Sequence, residues 1–173
     1  MRSPQRPSDH VPGRRAVRGP PCTPAALPPE EERRLAADLF NEVWTLLERT
    51  GRTVEDDDRM VHAAHASRHH WGRVGGPQQV AIGEWQCARV YSVLGRAEPA
   101  LHHARRYVEI ATANEVEDWV VASAYEGLTR AHLTAGDTAA ARAERERAVA
   151  ACERVADPED REVVASDLAG LPL

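Results

Sequence analysis

The 173-residue sequence predicts an all-α fold of about seven helices, built as antiparallel hairpins, and three observations carry that prediction. Apolar residues recur three and four positions apart in each long segment, which is the spacing of one helix face. No segment shows the alternation of apolar and polar residues that marks a half-buried strand. Gly51, Gly95 and Gly136 fall between the periodic segments, where a helix has to stop.

Residues 80–111 show the pattern best. Val80, Ala81, Glu84, Cys87, Ala88, Tyr91 and Leu94 share one face ahead of Gly95, and Ala97, Ala100, Leu101, Ala104, Tyr107, Val108 and Ala111 share one after it. Two short-looped helices with small, apolar stripes form an antiparallel hairpin.

The remaining elements follow in chain order. Residues 1–29 contain eight Pro, among them Pro20, Pro21, Pro28 and Pro29, and are expected to be a disordered tail. Upstream sequence added by an early start codon is the alternative origin of that tail. Glu30, Glu31 and Glu32 place carboxylates at the positive end of the first helix, whose stripe is Leu35, Leu39, Phe40, Val43, Trp44, Leu46 and Leu47. Thr53 and Asp56 have capping-box spacing for the second helix, expected to run to about Trp71 with Met60, Ala63, Ala64, Ser67 and Trp71 on its core face. The fifth helix is expected from about Asp118 to Ala135 and the sixth from Ala139 to Val155. Asp157 and Pro158 open a short last helix ending near Leu168. The folded domain is thus residues 30–173.

Composition narrows the function. All 22 basic residues are Arg. Five lie in residues 1–29 against one Asp, so a chain net charge of −5 leaves about −9 for the body, no footprint for nucleic acid. No run approaches the roughly 18 apolar residues of a membrane span. The N-terminus has no apolar segment of the secretory kind, so a cytoplasmic location is expected. Cys22, Cys87 and Cys152 are widely spaced and suit ordinary reduced thiols. With aromatic residues at only 5%, alanine must fill much of the interior.

Gly95 and Gly136 lie 41 residues apart (136 − 95), and aligning them superposes two hairpins. Cys87, Tyr91, Gly95, Ala100 and Ala104 in the first copy, and Tyr125, Leu128, Gly136, Ala141 and Ala148 in the second, fall at signature slots. This helix–Gly–helix pattern resembles the tetratricopeptide repeat (TPR) family. Two features depart from it: Glu84 sits where the family has an aromatic, and the spacing exceeds the usual 34 or so residues. The resemblance implies a short right-handed solenoid and a non-enzymatic module that binds a protein or peptide, with homodimerisation as a further expectation. It implies a ligand-binding groove lined by Glu84, Tyr91, Tyr125, Glu126, Arg130 and His132.

A second function class rests on the sequence DDDRMVHAAHASRHHW. His62, His65 and His69 lie with Asp58 on the side of the second helix opposite its core face, a patch able to hold a divalent metal with Glu84 or His132 as a further ligand. A solvated histidine face is the simpler alternative, and no Glu follows His62 as in the HExxH zinc motif. Glu84 is an acid within an apolar face, so it needs a partner: Arg89, Arg105, Arg130 or a Tyr hydroxyl is expected. Glu84 and Glu126 could also act as an acid–base pair. Arg142, Glu144, Arg145, Glu146 and Arg147 suit a solvated, ion-paired face, and Trp85 and Trp119 suit helix packing.

Overall fold

A computed structural model describes residues 27–173. Most of the expected tail, including Cys22, lies outside the described residues. Seven helices follow: α1 (Pro29–Glu48), α2 (Val54–Val74), α3 (Pro77–Val93), α4 (Ala97–Ala113), α5 (Asp118–Thr134), α6 (Thr138–Cys152) and α7 (Pro158–Ala169). No strand occurs among the described residues.

Local chemistry sets the helix ends. Thr53 and Asp56 close the capping box of α2, and the Asp157 carboxylate accepts from the backbone N–H of Glu159 and Asp160 at the start of α7. At the ends of α3 and α5 the same Schellman turn recurs. Arg96 N–H reaches the Tyr91 carbonyl and Gly95 N–H that of Ser92; Asp137 N–H reaches His132 and Gly136 N–H reaches Leu133. The turn needs a left-handed residue, and Gly95 (φ 67°) and Gly136 (φ 74°) supply it. The two glycines are therefore equivalent hinges.

Packing is consecutive. Helices α1 and α2, α3 and α4, and α5 and α6 pair as hairpins, and the helix after each hairpin packs on both of its members. The odd helices thus touch in a row, α1 to α3 to α5 to α7. Small residues permit this closeness: 14 of the 27 buried apolar residues among those described are Ala. No described helix is long and apolar enough to cross a membrane.

Helices α2 and α3 approach closely at Gly83. A Cβ placed on Gly83 would sit 2.7 Å from Arg68 Cδ and 3.3 Å from Arg68 Cα. Gly83→Ala should therefore destabilise the fold by about 1–2 kcal/mol in urea titrations, the overpacking penalty outweighing the roughly 1 kcal/mol helix-propensity gain. A variant as stable as the parent would mean that α2 and α3 are farther apart.

Candidate functional site

Glu84 is 6% exposed near the middle of α3, and its carboxylate is held from both neighbouring helices. Arg68 Nε of α2 donates to Oε1 at 2.9 Å, and His103 Nδ1 of α4 lies 2.6 Å from Oε2. The need for a cation was legible; the expected partners were not. Arg89 lies beside Glu126 and Asp167 instead, Arg130 pairs with Glu126, and Arg105 is exposed. Gly83 explains Arg68, because the missing side chain lets the arginine stem lie against α3. Burial alone would push the Glu84 carboxyl up, but the His103 hydrogen bond and the Arg68 charge outweigh it and hold the group below 4.5.

Around this pair lies a small cluster from three helices. One ligating atom from each of His65 of α2, Cys87 of α3 and His103 of α4 lies within 4.8 Å of the others. The Cys87 residue is fully buried and its thiol is pushed up to about 12, first by burial and then by the Glu84 charge. Burial, with the nearby His103 and His62, pushes His65 below its usual value. Tyr91 closes the cluster: its hydroxyl lies 2.8 Å from His65 Nε2, and its ring stacks on His103 at 5.8 Å and 9°. Of the three histidines singled out on α2, only His65 joins this group; His62 and His69 stay on the exposed face with Asp58. His132, the other candidate ligand, lies 4.0 Å from Asp137. His103 is not among the residues the sequence points to, although it sits three residues after Ala100 and four before Tyr107, on the stripe that packs inward.

The structure divides the six expected groove residues among separate places. Glu84 and Tyr91 belong to the cluster just described. Tyr125 packs against the core between α5, α6 and α7. Glu126 (1% exposed) pairs with Arg130, and Asp167 lies 3.9 Å from both Arg130 and Arg89. Burial pushes the Glu126 carboxyl above its usual range despite Arg130, and its Oε2 has no hydrogen-bond partner among the described residues. Glu84 and Glu126 therefore sit in different cation environments and share no bonding partner among the described residues.

A cleft of about 290 Å³ opens along the odd helices. Phe40 and Trp44 come from α1, Ile82 and Trp85 from α3, Trp119 and Ser123 from α5, and Asp160, Val163 and Asp167 from α7. The Trp44 and Trp85 rings lie 5.5 Å apart, and Gly127 leaves room for the Trp85 edge. At its α7 end, burial and the negative charges of Asp157, Glu117, Asp118 and Glu159 push the Asp160 carboxyl up. A larger, shallower cleft of about 460 Å³ between α6 and α7 carries no aromatic residue. Trp85 and Trp119 pack against the core, as expected, and also line the cleft of about 290 Å³.

Neither a protein-family model nor a curated protein matches this sequence.

The two buried acids should titrate the fold in opposite directions. A carboxyl held low in the folded state adds stability above its unfolded value, and that stability is lost as pH falls through the folded value. Stability should therefore drop below about pH 4.5 through Glu84 and Glu32, whose carboxyl His70 and Arg73 hold low. Glu84→Gln should flatten this acid limb in urea midpoints measured against pH. Glu126, held high, loses stability as pH rises above 4.5, so Glu126→Gln should leave the acid limb in place. An unchanged acid limb in Glu84→Gln would contradict the pairing seen here.

Proposed function

We propose that the chain is a TPR-like solenoid that binds a peptide segment of a partner protein in the cleft along α1, α3, α5 and α7. The observation that carries this is the convergence of Phe40, Trp44, Trp85 and Trp119 from three helices into one apolar cleft. A pocket lined by aromatic side chains with a few polar groups at one end is the usual form of a recognition site. Consecutive hairpins, matching Schellman glycines and alanine-filled contacts support the solenoid reading.

Charge selects the occupant. The polar end of the cleft carries Asp160, with Glu117, Asp118, Asp157 and Glu159 beside it, whereas Asp167 on the same wall already faces Arg89 and Arg130. The segment that suits it presents an apolar or aromatic side chain to the tryptophans and an Arg or Lys to the acidic end. A cation there relieves the crowding of carboxylates and can lie over an indole face. This groove takes the place of the one expected from Glu84, Tyr91, Tyr125, Glu126, Arg130 and His132. The reading remains non-enzymatic.

The test is an array of short peptides pairing an aromatic residue with either Arg or Asp, screened against the full chain and followed by tryptophan fluorescence. Arg-containing peptides should bind and Asp-containing ones should not. Val163 is 64% exposed on the α7 wall, so Val163→Arg should leave the helical signal and melting intact. It should weaken binding roughly tenfold, about 1.4 kcal/mol. Equal binding of both peptide sets, or no effect of Val163→Arg, would reject the cleft as the site.

A further inference from the structure

We propose that His65, Cys87 and His103 form a binding site for zinc(II), oriented by Glu84 and open to solvent on the His65 side. Three helices bring one nitrogen, one sulfur and a second nitrogen within 4.8 Å of one another, a donor set of borderline-soft character that suits this ion. Among the described residues this is the one group of three or more His, Cys, Asp or Glu side chains with that closeness. A tetrahedral zinc ion spaces such donors by roughly 3.3–3.6 Å, so closure asks for side-chain rotations and not for helix movement.

The second observation is independent of the spacing. Glu84 Oε2 lies 2.6 Å from His103 Nδ1, and Arg68 fixes the other carboxylate oxygen. A carboxylate on one ring nitrogen turns the other toward a metal and raises its basicity, the outer-shell arrangement that ligating histidines have. Here Nε2 is the nitrogen left for the ion. Tyr91 stacks on the same ring and its hydroxyl meets His65 Nε2, so one side chain touches both imidazoles. Cys87 enters as thiolate: zinc replaces the thiol proton, which leaves to solvent, one proton per ion bound. Three protein ligands leave a fourth position, and His65, the exposed member, puts it on the solvent side. The site differs from the α2 histidine face, since it uses one residue of each of three helices.

Metal-stripped, untagged full-length protein carrying Cys22→Ser is titrated with zinc(II) against a chromogenic chelator, and with cobalt(II) as a spectroscopic substitute. The expected result is one ion per chain and a near-ultraviolet thiolate-to-cobalt charge-transfer band. Cys87→Ala should abolish the band and His103→Gln should lose tight binding, each with helical circular dichroism retained. Should Cys87→Ala fail to fold, His103→Gln and the Cys87 alkylation rate with and without zinc decide the matter, because zinc should protect the thiol. The paired change His62→Ala, His69→Ala should bind as the parent does. Glu84→Gln should keep the thiolate band but weaken affinity by about 10–100-fold, which marks a positioning residue. Failure to bind zinc, binding without a thiolate band, or loss of binding in the His62/His69 variant would overturn the assignment.

Discussion

Helix α3 is touched by α1, α2, α4 and α5, and a helix with four neighbours can keep them all only if many of its side chains are small. Ala81, Gly83, Cys87 and Ala88 meet that demand, and Gly83 meets it most sharply against Arg68. The consequence is electrostatic. A polar group on the buried face of α3 is shielded from water and is served from a neighbouring helix. Gln86 donates to the Phe40 carbonyl of α1, and Glu84 takes Arg68 from α2 and His103 from α4. Close packing thus creates the polar cluster; without it Glu84 would be solvated and His65, Cys87 and His103 would lie apart.

What could be seen in the sequence follows the range of the interactions. Caps and hinges depend on residues within about five positions, so Thr53 with Asp56, Asp157, Gly95 and Gly136 were all legible. The anomaly of Glu84 was legible too, since an acid on an apolar stripe needs only its own helix to be noticed. Its partners were not, because Arg68 and His103 stand 16 and 19 residues away on other helices. The α2 histidines show the same limit: periodicity placed His62, His65 and His69 on one face, but could not say that only His65 faces Tyr91 and His103. The cleft was missed for a related reason. Its aromatics are spread over three helices and looked like separate packing residues until the helices were set side by side.

The 41-residue register explains a further feature that single-helix patterns hide. Trp44, Trp85, Glu126 and Asp167 stand at successive 41-residue intervals on α1, α3, α5 and α7, and Arg89 and Arg130 share a second slot four residues after Trp85 and Glu126. The ladder is thus aromatic in its first half and acidic in its second, while the slot four residues on is Arg only in the two middle rungs, between Glu48 and Leu171. Arg130 can pair within its own helix with Glu126, but Arg89 has Trp85 at that place and must reach onward to Glu126 and Asp167. Two cations and two carboxylates match in number, which offsets part but not all of the cost of burying Glu126.

Pairs of this kind contribute little net stability, through desolvation at Glu126 and solvent screening at the partly exposed Asp167; what they impose is geometry. Here the pairs run from α3 to α5, from α3 to α7 and from α5 to α7. A slip of one helix by a turn would move a charge about 5.4 Å along the axis, away from its partner and into apolar surroundings. The contacts between α3 and α5 are lined largely by alanine and would tolerate sliding better than interlocked large side chains, whereas α7 brings Val164 and Leu168. The charged ladder supplies the register that small residues cannot. These pairs join α7 to α3 and α5, and Trp44, Trp85 and Val163 line the cleft beside them.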